Sequence, residues 1–295
     1  MKDIIFKGAG VAIITPFDET GINYAELGRI IDDQIAGGTD AIVIVGTTGE
    51  SATLSDAEHK EAIAFAVKHV GGRVPVVAGA GSNETAYAVE LAKHAAAAGA
   101  DAILAVTPYY NKCTQNGLVC HYTAIADAVD IPLIVYNVPS RTGVNIKPET
   151  YARLAEHPNI NAVKEANGDL SSIVRTKKLV GDRLHIYSGN DDQIVPILAL
   201  GGVGVISVLS NVAPRTVHDI CAEYFAGNTA KAAELQIDWS DMVDALFCEV
   251  NPIPVKTAMG LMGYRVGNLR LPLTEMESAG LARLKEAMRA HGLLK

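Results

Sequence analysis

The chain is 295 residues long, 49% hydrophobic and only 20% charged, with a formal net charge of −8. That composition suits one large globular domain, or one domain plus an extension, and it excludes a nucleic-acid surface, which needs a basic patch. The opening "MKDIIFKGAG" lacks the apolar core of a signal peptide, and no stretch approaches the ~20 apolar residues of a membrane span, so a cytoplasmic protein away from membranes is expected.

Taken in chain order, eight apolar runs predict strands: "GVAIITPF" (10–17), "AIVIVG" (41–46), "VPVVAGAG" (74–81) and "AILAVTP" (102–108), then "PLIVYNVP" (132–139), "NAVKEA" (161–166), "LHIYSGN" (184–190) and "GVISVLS" (204–210). Between them, segments such as "DAEHKEAIAFAVKHV" and "NETAYAVELAKHAAAAGA" space their apolar residues by three and four, the helical pattern. Strands that are apolar almost throughout suit a parallel sheet covered by helices on its outer face. Eight strand–helix units in residues 1–225 predict an α/β fold, a (β/α)8 TIM barrel, with the catalytic apparatus at the strand C-termini. A doubly wound sheet fits less well, since no G-x-G-x-x-G follows the first strand. Residues 226–295 read differently: "TAKAAELQIDWSDMVDALF", "PVKTAMGLMGY" and "TEMESAGLARLKEAMRAHGLL" are successive helical patterns punctuated by Pro252, Pro254 and Pro272, and predict a helical extension packed on the barrel.

The strand ends collect an unusual set of side chains: Thr47 and Thr48 in "GTTGES", Tyr110 in "TPYYNK", Tyr136 and Arg141 in "YNVPSRTG", and Lys164 in "KEANGD". A lysine amine held away from water attacks a ketone to form an imine, which then serves as an electron sink. An ordinary lysine is a poor nucleophile at pH 7, because roughly one amine in a few thousand is neutral; burial at a strand end raises that fraction. Tyr136, Thr47 and Tyr110 can pass the protons such chemistry requires, "GTTG" can hold a small carboxylate, and Arg141 can grip a second one bidentately. Each residue also has an ordinary reading. Lys164 could be a rim residue paired with Glu165, "GTTGE" a tight turn, the tyrosines of "TPYY" core or interface aromatics, and Arg141 a loop tie; the combination is what points to imine chemistry. No metal site is expected, because the eight histidines show no H-x-H or H-E-x-x-H spacing and read mostly as helix-surface residues. The four cysteines lack C-x-x-C spacing and read as buried thiols. "LGGVGVIS" (200–207) could cradle a phosphate, but its glycines better suit a tight turn and close packing.

Together, "GTTGESATL", "TPYYNK", "YNVPSRTG", "AVKEANGDL", "YSGNDD", "GVISVLSNV" and "NPIPVKTAM" resemble the dihydrodipicolinate synthase family, essentially end to end. The resemblance implies condensation of pyruvate with L-aspartate 4-semialdehyde, with no cofactor beyond the covalent imine. By motif position Lys164 would form the Schiff base, Tyr136, Thr47 and Tyr110 the proton relay (Tyr110 acting in a neighbouring subunit), and Thr48 would hold the pyruvate carboxylate. Arg141 would bind the semialdehyde carboxylate, while Gly189 and Ile206 would shape the pocket through their backbone groups. N-acetylneuraminate lyases and keto-deoxy sugar-acid aldolases share the lysine and the G-x-x-G-E loop; Arg141 in "VPSRTG" and "TPYYNK" favour the synthase. Similar proteins are homotetramers, dimers of dimers, and many are inhibited by lysine at a cleft matching Ser51, Ala52, His59, Asn83 and Tyr109. Here Asp56 stands where some lysine-sensitive relatives have histidine, and Tyr87 where a glutamate would bind the effector's ammonium, so weak or absent lysine inhibition is expected.

Overall fold

The computed structural model describes residues 2–294. Eight parallel strands close into a barrel: β1 (Gly8–Ala12), β2 (Ala41–Ile44), β3 (Val76–Gly79), β4 (Ala102–Val106), β5 (Leu133–Asn137), β6 (Ile160–Glu165), β7 (His185–Ser188) and β8 (Gly204–Ser207). Each pairs with its sequence neighbours, and β1 pairs with β8 to complete the ring. All eight expected strands are present; the first begins and ends earlier than its apolar run. Gly8, at φ +122°, lets the Asp40 carboxylate come close enough to accept the Ala9 N–H at 2.7 Å, which starts the strand two residues before the run.

Strand alternation divides the apolar residues into two clusters. Val43, Val77, Leu104, Ile134, Ala162 and Ile206 fill the barrel interior. Ile42, Ile103, Val135, Val163, Ile186 and Val205 face outward to the surrounding helices. Both faces are dry, which explains strands that are apolar throughout. The bottom of the barrel is plugged. Phe6 stacks on Tyr187 with ring centroids 4.4 Å apart, the Tyr187 hydroxyl donates to the Phe6 carbonyl at 2.7 Å, and Lys2 Nζ donates to the carbonyls of Ala155, His157 and Ile160. Access is therefore from the strand C-termini.

The helices carry local signals that match their positions. Helix α1 (Tyr24–Ala36) is capped by Asn23. Helix α2 (Asp56–Val70) opens on a Ser55–Glu58 capping box and stops at left-handed Gly71. The ring continues with α3 (Thr85–Ala97), α4 (Gln115–Ala126), short α5 (Pro139–Thr142), α6 (Pro148–Leu154), α7 (Leu170–Val180), α8 (Ile194–Ala199) and α9 (Pro214–Phe225). Four helices follow: α10 (Thr229–Asp238), α11 (Ser240–Leu246), α12 (Ile253–Leu261) and α13 (Ser278–Ala290). Their Met242, Leu246, Val255, Met259 and Met288 join the outer apolar cluster of the barrel.

One expectation about side chains needs correction and another has exceptions. Only Cys221 is buried; Cys113 and Cys248 are half-buried and Cys120 is exposed, because the last three lie on surface segments that the absence of a Cys motif says nothing about. Three histidines, His59, His121 and His185, are buried, each with a ring nitrogen bonded to a carbonyl or hydroxyl. Among the described residues no group of three or more His, Cys, Asp or Glu side chains is arranged to hold a metal ion. The glycines of 200–207 serve close packing: a Cβ on Gly204 would lie 2.1 Å from the Gly8 carbonyl oxygen.

Candidate active site

Lys164 continues the inward row of β6 begun by Ala162, and its register aligns it with Tyr136 on β5 and Tyr187 on β7. It is 6% exposed, and its Nζ lies 4.3 Å from the centroid of the Tyr136 ring. Burial lowers its pKa from the ordinary lysine range to about 8; the Asp191 charge opposes this and the Arg141 charge adds to it. Glu165, read from sequence as a possible ion partner, points to the other face of the strand. Its carboxylate accepts from the Tyr151 hydroxyl at 2.6 Å, the Asn137 side-chain amide at 2.8 Å and the Asn167 N–H at 3.0 Å, and burial lifts its pKa to about 7. Among the described residues no carboxylate lies within ion-pair distance of Lys164. The strand ends at Glu165, and only beyond it does Gly168 take φ +76° and Asp169 cap α7, so the lysine is presented from a rigid element rather than a loop.

Tyr136 is also buried, and burial raises its pKa; Arg141 and a side-chain hydrogen bond with Thr47 work the other way. The loop after β2 brings Thr47 and Thr48 to the same end. Its turn is closed by Gly49 N–H to Gly46 O at 3.1 Å and Glu50 N–H to Thr47 O at 3.1 Å, with Val45 at φ +47° and Glu50 at φ +55° on either side. Left-handed backbone at a valine and a glutamate costs about 1–3 kcal/mol each and persists only where the surroundings dictate it. Gly79 is one such surrounding, since a Cβ there would lie 2.2 Å from the Val45 carbonyl oxygen.

Outside the amine, a cleft of about 450 Å³ is lined by Thr47, Val138, Arg141, Asn251 and Pro252 together with Ser51, His59, Tyr87 and Tyr109. A small inner chamber of about 40 Å³ runs from it between Thr47, Val106 and Tyr136. Lys164 borders neither space; Tyr136 is the contact between the chamber and the amine. Arg141, on α5, donates through Nη2 to the Asn251 carbonyl at 3.0 Å, and the Asn251 side chain donates to Thr48 Oγ1 at 3.1 Å. Gly189 donates its N–H to the Glu165 carbonyl at 2.8 Å, in a space where a Cβ would lie 2.7 Å from Ala166 Cβ. Ile206 lies in the interior row of β8, paired with Gly10.

The structure thus brings together Lys164, Tyr136, Thr47, Thr48 and Arg141, with Gly189 and Ile206 on the neighbouring strand ends. It does not bring Tyr110 to them: that side chain is 91% exposed, on a residue at φ +68°. Of the residues matched to the lysine cleft, Ser51, Ala52, His59 and Tyr109 line the same 450 Å³ space. Asn83 does not line it; its carbonyl accepts from the Asn111 side chain at 2.9 Å. The two departures from the lysine-sensitive pattern meet each other, the Tyr87 hydroxyl donating to Asp56 at 3.0 Å. Sequence reasoning missed Asp191 and Asn251, although both lie inside quoted motifs. Asp191 is buried and accepts the N–H groups of Val208 and Leu209, both at 3.0 Å, with its second oxygen unpartnered.

A family model described as the dihydrodipicolinate synthetase family matches residues 5–291. The chain belongs to that family. It is 53% identical over 292 residues to the 4-hydroxy-tetrahydrodipicolinate synthase of Thermoanaerobacter sp. (strain X514), covering 99% of this chain and 98% of the relative. It is 54% identical over 292 residues to the enzyme of that name from Clostridium tetani, covering 99% of each. Among solved structures, the dihydrodipicolinate synthase of Cyanidioschyzon merolae with lysine bound superposes with a TM-score of 0.96 at 40% identity, covering 99% of this chain and 100% of that one.

Proposed function

We propose that this family member is a lyase that condenses pyruvate with L-aspartate 4-semialdehyde to give 4-hydroxy-tetrahydrodipicolinate, a step of diaminopimelate and lysine biosynthesis. The observation that carries the chemistry is a single lysine, buried, without an ion partner among the described residues and with its pKa lowered to about 8, at the C-terminal end of a barrel strand. Full-length relatives above half identity support the choice of substrates.

The neutral Lys164 amine attacks C2 of pyruvate and, with loss of water, forms an iminium. Tyr136, whose ring centroid lies 4.3 Å from the amine, and its hydrogen-bond partner Thr47 supply the proton with which the carbinolamine oxygen leaves. The iminium then draws electrons as a methyl proton is lost, giving an enamine whose C3 attacks the aldehyde carbon. The electron sink is the protein's own imine, so no organic cofactor is needed. Attack of the semialdehyde's amino group on C2 closes a six-membered ring and expels Lys164, which restores the enzyme. Thr48 and the amides of its loop hold the pyruvate carboxylate; Arg141, at the cleft wall, holds that of the semialdehyde. Tyr110, turned away from its own barrel, completes the relay in a neighbouring copy, so the active form is a dimer or a pair of dimers. The test is substrate consumption. Pyruvate should disappear with L-aspartate 4-semialdehyde and not with N-acetylmannosamine or a sugar aldehyde; consumption with a sugar partner alone would make the chain a sugar-acid aldolase instead.

A further inference from the structure

Glu50 and Lys256 form an ion pair that the mechanism above does not use. Lys256 Nζ donates to Glu50 Oε1 at 2.6 Å, and the two side chains are 2% and 0% exposed. The same ammonium donates to the Asn268 carbonyl at 3.1 Å and lies 4.1 Å from the Phe17 ring centroid. The other Glu50 oxygen accepts the Arg270 N–H at 3.1 Å, while the Arg270 guanidinium lies 4.1 Å from the centroid of the same Phe17 ring and pairs with Glu58. Glu50 is therefore saturated by groups from the segment 256–270, which the sequence separates from it by some two hundred residues.

Its position is what gives the pair a consequence. Glu50 directly follows "GTTG" and holds a left-handed φ of +55°, so its side chain fixes the exit of the loop that carries Thr47 and Thr48. Lys256 lies in the first turns of α12, and Asn251, just before that helix, touches both Thr48 and Arg141. One helix end thus holds the loop by Thr48 and by Glu50, and holds Arg141 by a backbone carbonyl. A buried ion pair is a weak source of stability, because desolvation cancels most of its attraction; two charges retained in a dry core beside a strained loop serve geometry better than stability.

We propose that Glu50 and Lys256 are positioning residues for the carboxylate-binding loop: their buried pair clamps "GTTGE" to α12 and so sets the spacing between the Thr48 and Arg141 subsites. The proposal rests on the function given above. It is tested on the full-length protein with Glu50→Gln, Lys256→Met and the double variant, measuring pyruvate KM, kcat, melting temperature and borohydride-trapped adduct. The double variant removes both charges, so its melting temperature should return toward that of the wild type. Its KM for pyruvate should stay raised about 10-fold or more, with kcat within about threefold and the adduct still formed at saturating pyruvate. A double variant with wild-type KM overturns the clamp, even with adduct on wild-type Lys164; a wild type that forms no adduct removes the reading of function and the clamp with it. Should the variants not fold, hydrogen exchange of the wild type decides. Pyruvate should slow exchange in 46–53 and 253–261 together, and slowing in the first segment alone would refute the coupling.

Discussion

The pH dependence of imine formation follows directly from the burial of Lys164. With a pKa of about 8, roughly 1% of the amine is neutral at pH 6, about 9% at pH 7 and half at pH 8. At pH 7 that is about 300-fold more neutral amine than an ordinary lysine offers. The rate of adduct formation at subsaturating pyruvate should therefore rise about tenfold from pH 6 to 7, about fivefold from 7 to 8, and less than twofold beyond pH 8.5. The assay is rapid mixing with pyruvate, quenching with cyanoborohydride and measurement of adduct by intact mass. Two variants should displace the inflection in opposite directions. Asp191→Asn removes a charge that raises the Lys164 pKa and should move it to lower pH; Arg141→Ala removes one that lowers it and should move it higher. A rate still climbing tenfold per pH unit above pH 9 would refute the buried amine, as would displacement of both variants to the same side.

Other outcomes follow from the same contacts. Lys164→Met should be more stable than the wild type at pH 7, by up to about 3 kcal/mol, because the folded protein disfavours the ammonium. The folded pKa lies below the unfolded one, so this penalty is complete below about pH 8 and disappears as pH rises toward 10.5; melting temperatures that differ equally at pH 7 and 10.5 would contradict it. Arg141→Ala should raise KM for the semialdehyde by roughly 10- to 100-fold while leaving adduct formation at pH 9 within about threefold, and equal losses in both would remove its assigned role. Lysine at micromolar concentration should leave turnover unchanged, since Tyr87 is hydrogen-bonded to Asp56 and offers no carboxylate to an ammonium. Tyr87→Glu should increase the inhibition, and a wild-type enzyme already inhibited at that concentration would overturn the reading.

The barrel was legible because burial on both faces writes itself into the sequence as eight apolar runs, and the lysine was legible because it interrupts one of them. Strand alternation also separates Lys164 from Glu165: adjacent residues face opposite sides, so the carboxylate suggested as a partner by sequence proximity belongs to the outer layer with Tyr151 and Asn137. What could not be read is the set of contacts made across long separations. Asn251 and Lys256 lie in the quoted "NPIPVKTAM", yet nothing local shows that they reach Thr48 and Glu50. Tyr110 illustrates the opposite limit. The family resemblance places it in a neighbouring copy's site, and within its own chain the side chain is left 91% exposed.

The most direct test of the account is to incubate the enzyme with pyruvate, reduce with borohydride, digest and locate the added mass. The predicted result is one adduct per chain, on the peptide containing Lys164, and none in Lys164→Ala. Label on another lysine, or an unmodified Lys164 in protein that still consumes pyruvate with aspartate semialdehyde, would contradict it.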